Sequence, residues 1–221
     1  MKNKLFLLIF TCVLFACNRS RTDYFVFLHP IPDRPVISDD SVKNLQEGHI
    51  KNINRLYSEG KLTAAGPFDG GGGLFFLRET DMDAAWKDLN TDPAVRAKRF
   101  NLEVHPLKFE TGSICRLDSG FTMTTYHFVH FISPKNEKLT DKEKEIYKSG
   151  IELLEAKVLM EGYFTDTNSR ILIVDTTGTE FFNEKLTALG ASFQKFYKME
   201  RKRLYIPRGT FCEDTGKLPA K

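Results

Sequence analysis

The chain has 221 residues, 41% hydrophobic and 12% aromatic with 19 Phe, which excludes a disordered polymer and suffices for one large core or for two of about 100 residues each. Lys and Arg number 32 against 29 Asp and Glu, so charge offers no case for a nucleic-acid partner. No apolar run reaches the roughly 18 residues of a membrane span.

Lys2 and Lys4 precede an almost unbroken apolar run from Leu5 to Ala16, and Cys17 follows at once in LFAC. The run is too short to cross a bilayer and has the basic start of a secretory signal. With its small residue before a cysteine, it resembles the bacterial lipobox. That resemblance implies that residues 1–16 are removed, that Cys17 carries lipid, and that the protein is held in the cell envelope. Because Asn18 is not the aspartate that retains such proteins on the inner membrane, the outer membrane of a Gram-negative bacterium is expected. The competing readings are a buried strand, or a cleaved soluble signal with an incidental cysteine; polar Asn18, Arg19 and Ser20 suit neither a core nor a strand. Without Lys2 and Lys4 the balance becomes 30 basic against 29 acidic side chains.

A linker, 17–22, leads into a first unit, 23–109. Tyr24 to His29 forms a short aromatic strand stopped by Pro30 and Pro32. Ser38 to Ser41 offer caps for a helix carrying Val42, Leu45, Ile53 and Leu56, ended by Gly60. Leu62–Phe68 and Leu74–Leu77 form a hairpin across Asp69 and four glycines. Thr80 caps a second helix with Met82, Ala85, Trp86 and Leu89, which breaks at Asp92 and Pro93; Leu102, Val104 and Leu107 mark a last strand. The order is β-α-β-β-α-β, the ferredoxin-like pattern.

After a polar linker, 110–119, the pattern restarts over 120–208, leaving a tail at 209–221. Tyr126 to Ile132 is a strand. Thr140 and Glu143 make a capping box for a helix bearing Ile146, Ile151, Leu154 and Val158 and running to Gly162. Arg170 to Asp175 is strand-like, Thr179 to Leu189 helical with Gly190 after it, and Phe196 to Ile206 alternates as a final strand. Segments of fifteen residues from Gly66 and from Gly162 occupy matching places, so the chain reads as an α+β fold of tandem ferredoxin-like units.

His49, Gly60, Gly66, Pro67, Asp92 and Pro93 stand in an order and spacing that resemble the YciI-like (YCII-related) family over about 85 residues. The resemblance implies a dimeric α+β barrel, here folded within one chain that is expected to be monomeric. It also implies a His49–Asp92 dyad in a cleft beside the sheet, with Gly66 and Pro67 as ligand-binding positions and a small molecule as ligand. His49 would act as general acid or base, with Asp92 orienting it. The residues by themselves favour a structural histidine and a turn-capping aspartate, and the resemblance brings the catalytic reading level with that one. The second unit has Tyr163 where the first has Pro67 and no histidine in its helix, so it is expected to be a degenerate half. A non-catalytic binding protein or an envelope scaffold is the alternative function.

Other features point to no site. Gly70 to Gly73 joins strands without a following GK[ST], which excludes a phosphate loop. His127 and His130 fall on opposite faces of one strand, and with His29 and His105 in reserve no metal spacing is completed, so no metal or cofactor is expected. Phe25, Phe27, Phe75 and Phe76 read as core and not as a base-stacking sheet, and Lys195, Lys198, Arg201, Lys202 and Arg203 as a solvated edge. Export places Cys115 and Cys212 in an oxidising compartment. They flank the first and last strands of the second unit, which lie side by side in a ferredoxin-like sheet, so a disulfide between them is expected, with free thiols as the alternative.

Overall fold

The computed structural model describes residues 20–117, 120–177 and 181–212. Cys17, the leader, Thr179 and the tail from 213 lie outside the described residues. The first unit comprises β1 (Thr22–Pro30), α1 (Asp39–Ser58), β2 (Leu62–Pro67), β3 (Gly73–Glu79), α2 (Met82–Leu89), the single turn α3 (Pro93–Arg96) and β4 (Phe100–Thr111). A short β5 (Ser113–Ile114) leads to the second unit: β6 (Met123–Ile132), α4 (Asp141–Glu152), β7 (Lys157–Phe164), β8 (Arg170–Asp175), α5 (Phe182–Phe193) and β9 (Lys198–Pro207), with β10 (Phe211–Cys212) after it.

Local chemistry accounts for the boundaries. Ser38 caps α1 by accepting from the Ser41 amide, Asp39 and Asp40 complement the helix dipole, and Gly60 at φ 68° turns the chain into β2. The expected cap of α2 shifts by one residue: Asp81, not Thr80, accepts from the Ala84 amide. In the β2–β3 hairpin Gly70, Gly71 and Gly72 all take positive φ, and a Cβ at Gly72 would stand 2.2 Å from the Leu28 carbonyl oxygen.

Two expectations in the second unit fail. The helix from Asp141 does not run to Gly162. It ends at Glu152, Glu155 turns at φ 49°, and 157–164 is the strand β7. Nor does Gly190 stop α5, which continues to Phe193, with the Met199 side chain of β9 packed over this glycine.

All eight long strands join one antiparallel sheet in the order β2-β3-β1-β4-β7-β8-β6-β9. Its ends meet: Phe68 bridges Leu204, and the Asp69 amide donates to the Arg203 carbonyl at 3.0 Å. The halves therefore join edge to edge as one closed barrel, and closure leaves neither half with a free long edge. The seams obey a pseudo-twofold rule. The Thr165 amide donates to the Pro106 carbonyl at 3.0 Å, as Asp69 does to Arg203. A Cβ on Gly66 would meet Tyr205 O at 2.8 Å and Leu204 Cδ1 at 2.9 Å, and one on Gly162 would meet Lys108 O and Leu107 Cδ1, each at 2.9 Å.

Alternation sorts the core. Phe25, Phe27, Phe76, Phe128, Phe164, Ile171, Ile173, Leu204 and Ile206 fill the barrel, whereas Tyr24, Val26, Leu28 and Phe75 pack beneath α1 and α2, and Val129, Phe131, Leu172 and Val174 beneath α4 and α5. β5 and β10 form a separate ribbon, joined by a Cys115–Cys212 disulfide with Cα atoms 5.7 Å apart. Phe211 from this ribbon packs on Phe76 and Tyr126 and plugs that end of the barrel. The opposite end is open.

Candidate functional site

His49 lies on α1, and Asp92 is the residue at which Pro93 opens α3. The structure brings them together: His49 Nδ1 stands 2.7 Å from Asp92 Oδ2, with side-chain exposures of 13% and 1%. Gly48 makes this possible, because a Cβ there would meet Pro93 Cγ at 2.9 Å, so only a glycine lets α3 dock this closely on α1. Asp92 fills both roles weighed from the sequence. Its Oδ1 caps α3, accepting from the Ala94 amide at 2.8 Å and the Val95 amide at 3.3 Å, while Oδ2 holds the histidine.

Burial pushes the Asp92 carboxyl up, but the bond and charge of His49 and the two amides outweigh it, so its pKa falls below the ordinary value. An ionised carboxylate accepts only, so Nδ1 carries a proton and Nε2 is the nitrogen left to exchange one. Asn52 Nδ2 approaches Oδ2 at 3.4 Å, and Asn52 is itself held by Arg55 at 2.9 Å. The imidazole stacks on Phe75 at 5.9 Å.

Gly66 and Pro67 are placed otherwise. Gly66 is committed to the β2–β9 seam, where its missing Cβ makes room for the β9 backbone, and Pro67 is exposed at the end of β2.

A second constellation escaped sequence reasoning. The open barrel mouth holds a cavity of about 390 Å³, floored by Phe27, Phe128 and Phe164 and rimmed by His29, Glu103, His105, His130, Glu200 and Lys202. Glu103 lies 3.1 Å from His29 Nε2 and 3.0 Å from His105 Nε2, while His105 Nδ1 lies 2.9 Å from Asp166 Oδ2. Burial pulls the His105 pKa down, but its two carboxylate partners more than reverse that and raise it. The hydrogen bond from His105, opposed by burial and aided by His29, lowers Glu103 to about 2. The signal available in the sequence was the alternation itself: in strands that read as core, Glu103, His105 and His130 occupy inward positions. His127 does face the other way, against Phe182 of α5. Among the described residues no group of three His, Cys, Asp or Glu is disposed to hold a metal ion.

The basic run on β9 is not a free edge. β9 pairs with β6 and bridges β2, and Lys202 stands over the Phe68 ring at 5.0 Å. On the outer face of the second unit a cavity of about 500 Å³ replaces the dyad, lined by Tyr147, Tyr197 and Arg170. The Arg170 guanidinium is held by Glu161 at 2.6 Å and by Glu110, and lies 4.5 Å from the centre of the Tyr147 ring.

No protein-family profile matches the sequence, and no curated protein matches it. Among solved structures, a candidate chlorite dismutase superposes with a TM-score of 0.52 at 13% identity, covering 85% of this chain and 94% of that one. An anthrone oxidase-like protein gives 0.49 at 11%, covering 92% and 97%. A candidate monooxygenase from Lactobacillus acidophilus NCFM gives 0.46 at 11%, covering 88% and 96%. At 13% identity the first likeness is one of fold, and with the closed eight-stranded sheet it places the chain in the dimeric α+β barrel fold, built from two units of a single chain.

Proposed function

We propose that this protein is an exported lipoprotein with a YciI-like unit that performs general acid–base chemistry on a small molecule through His49 and Asp92. The observation that carries the reading is the 2.7 Å contact between His49 Nδ1 and a carboxylate whose other oxygen is tied to two amides. An aspartate anchored in this way fixes the imidazole tautomer and stabilises the imidazolium formed when Nε2 takes a proton from substrate. Asp92 is a positioning residue, and His49 is the group that meets the substrate. Lipid on Cys17 would hold the protein to the envelope, with the outer membrane as its destination.

An untargeted metabolite pull-down comparing wild type with His49→Ala tests the site. A ligand lost with the imidazole, and turned over by wild type with a pH profile that shifts in Asp92→Asn, is the expected result. Identical ligand sets in both proteins would overturn it. Cys17→Ser is expected to accumulate as unprocessed precursor without lipid label, and unchanged labelling would remove the anchor. One observation favours a non-catalytic binding reading: neither His49 nor Asp92 lines the cavities of about 390, 500 and 350 Å³. Ligand binding without pH-dependent turnover would select that reading.

A further inference from the structure

The mouth of the barrel lies on the opposite face of the sheet from His49 and carries a hydrogen-bonded chain of its own. Asp166 Oδ2 stands 2.9 Å from His105 Nδ1, His105 Nε2 stands 3.0 Å from Glu103 Oε1, and Glu103 Oε2 stands 3.1 Å from His29 Nε2. Both nitrogens of His105 face carboxylates, which accept only, so both donate and His105 is an imidazolium. Glu103 is ionised, its pKa held at about 2 chiefly by the bond from His105. It therefore takes the Nε2–H of His29, and the neutral His29 ring has its lone pair on Nδ1. That nitrogen has no hydrogen-bond partner among the described residues and is not a buried atom. The His29 side chain is 42% exposed against 13% for His49, and its ring lies over Phe27 at 5.4 Å on the rim of the cavity of about 390 Å³. Other charges of the mouth are paired: Glu103 is shared by two imidazoles and Glu200 is held by Lys198 at 2.8 Å. Lys202 lines the same cavity with no ion pair among the described residues. An accessible lone pair backed by an ionised carboxylate, an unpaired ammonium and an apolar floor are the parts of a general-base site.

We propose that the barrel mouth is a second acid–base centre, where His29 takes a proton from the carbon beside the carbonyl of a small aryl ketone or aldehyde. The aryl ring rests on Phe27, Phe128 and Phe164, which floor the cavity. The C–H bond breaks and its proton goes to His29 Nδ1. The freed electron pair forms the enolate double bond, and the carbonyl π pair moves to oxygen, where the Lys202 ammonium stabilises the charge. Return of the proton from Nδ1 to carbon closes the cycle, which consumes no co-reactant. Carbon is the site of transfer because protons on oxygen or nitrogen exchange rapidly in water unaided, and a positioned base accelerates the slow step. His29 meets the substrate, and Glu103 is a positioning residue that fixes its tautomer. This centre is separate from the His49–Asp92 pair and stands or falls independently of it.

The test is deuterium exchange of 2-indanone in D2O, followed by proton NMR near neutral pH with the disulfide-intact mature chain. Its methylene hydrogens flank both an aromatic ring and a carbonyl, so their loss reads proton transfer from carbon directly. Wild type is expected to exchange them saturably, at least about a hundredfold faster than free imidazole at the same concentration. His29→Gln keeps a donor for Glu103 but has no base, and should fall to the rate of the solution. Glu103→Gln should lower kcat with KM unchanged, because the phenyl floor remains. Lys202→Met should lower kcat by about a hundredfold, the effect of losing one group that stabilises the developing oxyanion. Wild-type exchange no faster than that of imidazole, which needs no variant to fold, would overturn the proposal. So would an undiminished rate in His29→Gln, or a loss in Glu103→Gln confined to KM.

Discussion

Titrating His130 should expose the cost of keeping an imidazole inside the barrel. Burial pulls its pKa from the ordinary 6.5 down to about 4; Glu200 and Glu103 pull it back, and His105 and His29 add to the depression. Above pH 6.5 the imidazole is neutral in both folded and unfolded chains and contributes nothing. As pH falls below 6.5 the unfolded chain takes up a proton that the folded one refuses, so stability drops until about pH 4, where the folded form also titrates. A gap of about 2.5 pH units at 1.36 kcal/mol each amounts to about 3 kcal/mol. Two neighbours lose their contributions outside this window. His105, raised, adds stability that is lost as pH climbs above 6.5, and Glu103 adds stability that is lost as pH falls from 4.5 towards about 2. Urea unfolding at pH 6.5 and 4.5 therefore isolates His130: wild type should lose about 2 to 3 kcal/mol more than His130→Phe over that interval. Parallel losses in the two proteins would refute the assignment of a buried neutral imidazole.

Two further outcomes concern the barrel itself. Gly66→Ala and Gly162→Ala should each lower stability by about 1 to 3 kcal/mol in denaturant titration, because each new methyl would press on backbone oxygen across a seam, at 2.8 and 2.9 Å. A neutral result at either position would mean the seam opens at little cost. Cys115→Ser should lose up to about 4 to 5 kcal/mol, the upper guide for a loop of 97 residues, and mass mapping of unreduced wild type should show the two cysteines joined.

Sequence reasoning succeeded where a boundary has its own chemical marker. Ser38, Gly60, the four glycines and the Asp92–Pro93 step each force a local geometry, and the first unit was read correctly from them but for a one-residue shift of a cap. It failed at β7, because Val158 follows Leu154 at helical spacing. The left-handed turn at Glu155 that breaks the helix belongs to a residue type with no preference for it. Gly190 misled for a related reason, since a glycine within a helix looks in sequence like one that ends it. The His49–Asp92 contact was legible through the order and spacing of residues that resemble the YciI-like family, with Gly48 as a support that pattern does not include. The barrel mouth was not legible. Alternation gives a side chain's face, but the convergence of β1, β4, β6 and β9 on one opening appears only once the two halves close.

The pseudo-twofold axis runs along the barrel, since β1 and β6, like β4 and β9, hold equivalent places in the sheet. At the mouth it relates Phe27 to His130, His29 to Ile132, and His105 to Lys202, pairs that register with equivalent neighbours. Two identical subunits would line such a mouth with matched pairs, and any guest would have two indistinguishable poses. Here these three pairs are mismatched, although Glu103 and Glu200 form a matched one. A guest turned by half a revolution exchanges an imidazole for a phenyl ring and meets a different environment, so joining the halves in one chain gives the opening a handed sense of left and right. A planar molecule could then be held one way round, with a single edge turned to the polar flank.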